Sequence, residues 1–389
     1  MKSVAIICEY NLFHNGHLRQ INMIREKFAE SDEEVTVISL MSGNWIQRGG
    51  PALLPARIRA DTAVRCGADL VLELPYPWSG GSAEYFARGA VDILNAIGGI
   101  DYLCFGSESG DIDMLMRTAR NTMTDKYNTA FGNAKKLRCS GNISEIILRS
   151  EIYDQVFGEK LPVLPNDILG LEYLRALNLT GSKIQPYPVK REGSETATEA
   201  RRLFSTHNHD SLRRIVPPEA FEIYINNEET RFENIGTAII ARLRLADNGE
   251  LSGFEGVTGG LDKRLCSCAA KTANLEVFFE LAATKRYTNA RLRRTVINCM
   301  LEIKSDYLKE TPHFTRLHSA NKKGTDFLRI HSGSEITIIT KAAHQKRYAA
   351  DAVLTDQLNR RYKAEALYAL ARGESAEADI KMKPNIMKS

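Results

Sequence analysis

Glu9-Tyr10-Asn11-Leu12-Phe13-His14-Asn15-Gly16-His17 sets two histidines around a glycine, and the residues on either side decide how the run folds. Before it, residues 4–8 form a short apolar, β-rich run suited to a buried parallel strand. After it, Leu18, Ile21, Ile24 and Phe28 recur at helical spacing. The histidines therefore stand where a strand ends and a helix begins. Unpaired N–H groups and the helix dipole favour an anion there, and Gly16 lets the backbone approach a phosphate closely. His14 and His17, three apart, can share one solvent-facing side of the first turn and donate hydrogen bonds to phosphoryl oxygens. A polar loop that only caps a helix could carry the same residues, but the strand–loop–helix setting favours the phosphate site.

The pattern repeats outward. Residues 35–40 precede the turn-rich Met41-Ser42-Gly43-Asn44, residues 68–74 precede Pro75, and residues 102–105 precede Gly106-Ser107-Glu108. Residues 55–66 and 82–97 between them read as helices. Strands alternating with helices imply βαβ units and a parallel sheet, with ligands bound outside the carboxyl ends of the strands. Residues 111–165 read as a mostly helical insertion, and a further strand is expected at 184–190. Pro165-Asn166-Asp167 opens a helix with an amide-bearing cap, and Thr196-Ala197-Thr198-Glu199 is a capping box followed by Arg201. Thr198 and Arg201 are candidates to face phosphate; plain capping is the alternative.

Beyond residue 205 the pattern changes to helices and polar loops, with no strand expected before 335–339 and a frayed end at 381–389. The expected organisation is an α/β nucleotide-binding domain at 1–205, carrying the helical insertion, and a mainly α-helical domain at 206–389.

The chain of 389 residues is 43% hydrophobic and 26% charged, which excludes disordered and fibrous classes. Its formal net charge is only +4, so a nucleic-acid surface must come from local clustering. No run is long and apolar enough for a membrane span, and the N-terminal run is too short for a signal peptide, so a cytoplasmic location is expected. Seven scattered cysteines do not form a disulfide framework. Cys266 and Cys268 lack zinc-pair spacing and a second pair, so no protein-held metal is expected.

Charge does cluster at Lys285-Arg286-Tyr287-Thr288-Asn289-Ala290-Arg291-Leu292-Arg293-Arg294, which contains no acid. Leu292, Val296, Met300 and Ile303 make an apolar stripe on which this helix can dock while arginines stay outside. Lys285, Arg286, Arg291, Arg293 and Arg294 suit RNA phosphates, and Tyr287 offers a ring for a base to stack on. A solvated basic helix face is the alternative reading.

The chain also resembles the bacterial tRNA(Met) cytidine acetate ligases, within the nucleotidyltransferase superfamily of His-x-Gly-His type. The resemblance spans nearly the whole chain. It rests on the opening run; on Met41-Ser42-Gly43-Asn44 with Gln47-Arg48-Gly49 and Pro51-Ala52; on Gly67-Ala68-Asp69-Leu70-Val71 running to Glu73-Leu74-Pro75; and on Ser82-Ala83-Glu84-Tyr85-Phe86-Ala87. Phe105-Gly106-Ser107-Glu108, Ile168-Leu169-Gly170-Leu171-Glu172-Tyr173 and Thr284-Lys285-Arg286-Tyr287-Thr288 continue it.

The resemblance implies a Rossmann-like nucleotidyltransferase fold with a helical tRNA-binding domain. It implies that acetate and ATP form acetyl-adenylate, which acetylates N4 of the wobble cytidine of elongator tRNA(Met), with Mg²⁺ accompanying ATP. ATP would lie across Ile7, Cys8, Glu9, Tyr10, Asn11, Leu12, Phe13, His14, Asn15, Gly16, His17, Leu18, Arg19 and Gln20, with Gly106, Asn166 and Arg191 adding contacts. His14, His17 and Arg191 would supply positive groups around the reacting phosphate. Leu12 replaces the family's usual proline, which should loosen the loop, and Asp167 replaces an amide, setting an anion beside the nucleotide. An aromatic-His-Asp segment expected after Arg191 is missing; Glu192-Gly193-Ser194-Glu195 takes its place. No protein partner is evident. Two rival readings are an adenylyltransferase acting on a small metabolite and an RNA-binding protein with a vestigial nucleotide site.

Overall fold

The computed structural model describes residues 2–30, 32–137, 145–191, 193, 195–247, 249–340, 350–377 and 383–387. Eight strands form one sheet: β1 (Lys2–Cys8), β2 (Val35–Ser42), β3 (Leu70–Leu74), β4 (Tyr102–Ser107), β5 (Gln185–Lys190), β6 (Phe314–Ala320), β7 (Thr337–Ile339) and β8 (Asn385–Ile386). Its order is β5-β4-β1-β2-β3-β6-β7, with β8 beside β6. The first five strands are parallel and right for a doubly wound fold; β6 joins β3 antiparallel. The order reverses between β1 and β4, which opens a crevice beyond their carboxyl ends.

Helices of the first half are α1 (Asn15–Ala29), α2 (Ala56–Arg65), α3 (Ala83–Ile97), α4 (Ile112–Thr122), α5 (Asp125–Leu137), α6 (Glu145–Phe157), α7 (Pro165–Leu179) and α8 (Ala197–Ser205). The second half holds α9 (His209–Ile215), α10 (Pro218–Tyr224), α11 (Gly236–Arg244), α12 (Leu261–Lys271), α13 (Leu275–Ala282), α14 (Asn289–Met300), α15 (Lys322–Ile330) and α16 (Ala352–Arg372). Strand alternation splits the core. Ala5, Ile7, Ile38 and Leu40 share one cluster with Phe86, Val91 and Leu94 of α3 and Leu171 and Leu174 of α7. Val4, Ile6, Val37 and Val71 share the other with Ile21, Ile24 and Phe28 of α1 and Ala60 and Ala63 of α2. A third cluster, built on α11–α14, includes Trp45 and Tyr368.

The α/β sheet and its helices agree with the sequence reading, and α4–α6 occupy the expected insertion, of which residues 138–144 lie outside the described residues. The absence of a strand before residue 335 is overturned. β6 enters the main sheet with all seven residues buried, so the sheet draws on chain from both sides of residue 205. Nor is the end simply frayed, since Asn385 and Ile386 pair with Ser319 and Ala320; residues 381, 382, 388 and 389 lie outside the described set.

One buried ionic group fastens this arrangement. Glu73 on β3 receives Arg361 of α16 through both carboxylate oxygens, at 2.5 and 2.8 Å, and His318 of β6 lies 2.9 Å away. Burial opposes the Glu73 charge, yet Arg361 and His318 hold its carboxyl well below the usual range. Removing one partner from such a group costs about 3–5 kcal/mol.

Candidate active site

The loop from Glu9 to His14 lies at the carboxyl end of β1 and is held from several directions. Tyr10 has φ 45°, in the left-handed region, where a side chain costs about 1–3 kcal/mol unless its surroundings hold it. Its hydroxyl lies 3.1 Å from Ser39 Oγ, and its ring meets His17 edge-on at 5.0 Å. Asn11 Oδ1 accepts from Leu53 N–H at 2.8 Å, while Leu12 and Phe13 are fully buried. Leu12, standing in place of the family's usual proline, packs its side chain into the core beneath this loop. Tyr224 of α10 holds the next peptide: its hydroxyl accepts from Phe13 N–H at 2.8 Å and donates to Phe13 C=O at 3.1 Å.

His14 is the N-cap of α1. Its Nδ1 accepts from Gly16 N–H at 3.1 Å, and His17 Nδ1 accepts from His14 N–H at 3.2 Å. The two rings stack at 3.9 Å. A nitrogen that accepts carries no proton, so this geometry assigns the neutral tautomer with Nε2–H to both rings. Burial, then Arg191, lowers His14 to about 4; burial, His14 and Arg191 push His17 well below its ordinary value. The histidines are thus neutral donors, and the expectation that they supply positive charge is corrected. His14 is also only 6% exposed, not solvent-facing. Gly16 gives the capping ring its room, because a Cβ there would lie 2.8 Å from His14 Cε1 and the ring would have to shift.

Charge comes from arginines. Arg19, Arg191 and Arg201 all act on His14. Arg191 follows β5 and donates its N–H to Ser107 C=O at 2.8 Å, which sets it beside the end of β4, where Gly106 lies. Glu195 binds Arg19 through two hydrogen bonds, at 3.1 and 2.6 Å, and this pairing draws its carboxyl down to about 2. Its carbonyl accepts from Arg191 Nη2 at 3.1 Å. Glu195 thus ties together two arginines where the aromatic-His-Asp segment was expected; Glu192 and Ser194 lie outside the described residues.

The remaining expected ATP contacts fall nearby with other partners. Ile7 is in the core, and Leu18 is half-buried against the opposite core cluster. Cys8 Sγ lies 3.9 Å from Leu40 C=O, Asn15 Nδ2 donates to Arg214 C=O at 3.2 Å, and Gln20 Nε2 donates to Cys104 Sγ at 3.4 Å. Glu9 Oε1 accepts from Gln47 N–H at 2.8 Å.

Leu164, with no side-chain bond, is the N-cap of α7, so the amide-bearing cap is overturned. Glu108 caps this helix instead: it accepts from Asn166 N–H, Asn166 Nδ2 and Asp167 N–H. Asp167 turns away into the β4 loop, accepting from Ser107 Oγ, Glu108 N–H and Ser109 N–H. These bonds turn its side chain towards the β4 loop. Thr196 caps α8 as expected by accepting from Glu199 N–H, whereas Glu199 pairs with Arg202. Arg201 donates to Asn11 C=O at 2.7 Å and to Thr198 Oγ1 at 3.0 Å.

Two residues outside the sequence reading complete the frame. Arg59, fully buried, donates to the carbonyls of Glu9, Ser42, Gly43 and Leu54, and so ties the ends of β1 and β2 to the start of α2. Tyr224 is the other. Neither has a local sequence signal, since both act across long chain separations.

The basic run is less uniform than its sequence. Lys285 and Arg286 are exposed. Arg291 donates to Thr258 Oγ1 at 2.7 Å and Gly256 C=O at 3.3 Å, and Arg294 donates to Gln47 C=O at 3.0 Å. Tyr287 is buried, donating to Gly259 C=O at 2.8 Å, with Arg286 and Arg291 over its ring; it offers no open face for a base. Leu292 and Val296 do dock α14, although Ile303 lies beyond its end.

Helix α14 also lies against the loop after β2. A Cβ on Gly49, at φ 82°, would meet Arg294 N at 2.4 Å. Through Glu9, Gln47 and Arg294, the histidine loop and the basic helix are neighbours in space.

The HIGH Nucleotidyl Transferase family model matches residues 1–383. A tRNA(Met) cytidine acetate ligase of Alkaliphilus metalliredigens is 34% identical, over 88% of this chain and 88% of its own length. One from Thermoanaerobacter sp. is 31% identical, over 98% of both chains. The crystal structure of Thermotoga maritima TmcAL bound with alpha-thio ATP superposes with a TM-score of 0.90 at 28% identity, covering all of both chains.

Proposed function

Because the chain belongs to the tRNA(Met) cytidine acetate ligase family of HIGH nucleotidyl transferases, we propose that it joins acetate to the wobble cytidine of elongator tRNA(Met) at the expense of ATP. The observation that carries this reading is the stacked pair of neutral histidines at the sheet's reversal crevice, with His14 under the influence of Arg19, Arg191 and Arg201 and His17 under that of Arg191.

An acetate oxygen attacks the α-phosphorus of ATP, the bond to pyrophosphate breaks, and acetyl-adenylate forms. Two fixed Nε2–H donors need no reorganisation to meet charge developing on phosphoryl oxygens, and the arginines supply the compensating positive field. Neutral histidines give up no proton there, so they leave the leaving group's protonation to solvent. Cytosine N4, a weak nucleophile because its lone pair is delocalised into the ring, then attacks the activated acetyl carbon. AMP departs, and N4 loses a proton. Gly106 and Arg191 border the nucleotide in this reading, while Asn166 shapes the β4 loop through Glu108.

Mg²⁺ would accompany the triphosphate. Among the described residues no three His, Cys, Asp or Glu side chains gather as ligands, which suits an ion held mainly by phosphate oxygens and water. Among the described residues no helix is long and apolar enough to cross a membrane, and action on tRNA in the cytoplasm accords with that.

The test is incubation with ATP, Mg²⁺, labelled acetate and bulk tRNA, followed by nucleoside mass spectrometry. Labelled N4-acetylcytidine in tRNA(Met) is the expected product. ATP consumption without RNA acetylation would overturn the reading.

A further inference from the structure

Between the histidine loop and the helical half lies an open cleft of about 650 Å³, within the roughly 300–1,000 Å³ typical of ligand sites. Four arginines line it: Arg48 from the loop after β2, Arg201 from α8, Arg231 ahead of α11, and Arg293 from α14. Asn11 of the histidine loop forms part of its wall. Two acids, Glu229 and Glu233, leave an excess of two positive charges, and Glu229 is already engaged by Arg231 at 2.9 Å and by Ser205 Oγ.

The arginines differ in what they have left to give. Arg201 is fixed on Asn11 C=O. Arg48 is exposed and makes no hydrogen bond or ion pair among the described residues. Arg293 likewise has no such partner, yet its guanidinium is held 5.5 Å from the Phe232 ring and 5.3 Å from the Phe279 ring. A guanidinium backed by aromatic rings keeps an outer face for stacking, and its N–H groups remain available to an acceptor. A small phosphorylated metabolite would need a closed pocket. An unpaired nucleotide with phosphates on both sides needs an open cleft with separated cations, as found here.

We propose that this cleft receives one unpaired nucleotide of an RNA loop, its base stacked on Arg293 and a flanking phosphate on Arg48. The inference rests on the ligase reading, because Asn11 brings the cleft alongside the site where the activated acetyl group forms. It adds Arg48 to the RNA surface and gives Arg293 a role that Arg291 and Arg294, occupied by internal oxygens, do not share.

Arg48→Ala and Arg293→Ala, each compared with the full-length wild-type protein, test the assignment. Both are expected to raise the KM for tRNA about tenfold, with the KM for ATP in tRNA-independent, acetate-dependent pyrophosphate exchange within about twofold of wild type. Arg48→Ala should also flatten the logarithmic salt dependence of tRNA binding by about one unit. Arg293→Lys should keep the wild-type salt slope yet fail to restore the affinity, since an ammonium keeps the charge and loses the stacking plane. Unchanged tRNA affinity in both alanine variants would overturn the proposal. So would a raised KM for ATP with normal tRNA binding, which would make the cleft part of the nucleotide site. Wild-type protein that binds tRNA through these arginines but forms no acetyl-adenylate would refute the ligase reading and leave the cleft assignment standing.

Discussion

Tyr224→Phe removes one oxygen atom and separates loop support from phosphate chemistry. Tyr224 is fully buried, and its hydroxyl serves both halves of the Phe13 residue, accepting from N–H at 2.8 Å and donating to C=O at 3.1 Å. Phenylalanine fills nearly the same volume, so no cavity opens. A buried donor and a buried acceptor both lose their partner instead. Each such group costs about 1–3 kcal/mol, and with some relaxation of the loop the pair should cost roughly 2–4 kcal/mol. Phe13 directly precedes the cap residue His14, so the loss falls on the segment that aims both imidazoles. Urea unfolding should show that loss, and isothermal titration should show weaker ATP binding. A change below about 0.5 kcal/mol, together with unaltered ATP affinity, would refute the claim that α10 holds the loop.

His14→Asn keeps a capping acceptor and removes the Nε2–H donor; we expect stability within about 0.5 kcal/mol of wild type but pyrophosphate exchange lowered about 10²–10³-fold, whereas near-normal exchange would exclude His14 as a donor. Gly16→Ala favours the helix intrinsically yet sets a Cβ 2.8 Å from His14 Cε1, so exchange should fall while thermal stability holds; retained exchange would show that the ring has room to move. Because folding lowers His14 from 6.5 to about 4, the unfolded chain takes up a proton that the native state refuses as pH falls through this window. Stability should thus be full above pH 6.5 and decline towards pH 4, with His14 contributing up to about 3 kcal/mol of the loss. Urea unfolding at several pH values should show a shallower decline for His14→Asn, and parallel curves would contradict a depressed His14.

The parallel strands and the helix after the histidine loop were legible because each declares itself locally, through an apolar run closed by Gly, Pro or Asn. β6 was not. Its Arg316, His318 and Ser319 look like solvent-facing residues, and only the distant Glu73 makes burial of His318 tolerable. The same blindness affected the basic run, where charge is visible but its targets are not. Arg291 and Arg294 spend their N–H groups on oxygens of Thr258, Gly256 and Gln47, supplied by loops no periodicity connects to them. Asp167 shows the converse. Its position beside Asn166 was readable, but its direction depended on the loop it caps. The histidine tautomers follow from two backbone N–H bonds that exist only once the loop has folded.

The Glu73 cluster has a consequence for biosynthesis. Glu73 leaves the ribosome nearly 290 residues ahead of Arg361, its bidentate partner, and Asn44 and Trp45 must likewise wait for Glu365 and Ala364. A nascent chain can pair β1, β2 and β3 early, but Glu73 on the outer edge of β3 stays in solvent until β6 and α16 emerge to bury and pair it. Translation order thus makes the β3–β6 edge among the last parts of the sheet to settle, although β3 is among the first made. A prematurely terminated chain lacking α16 would be left with that acid beside His318 but without its bidentate arginine, a natural handle for quality-control proteolysis before any nucleotide is bound.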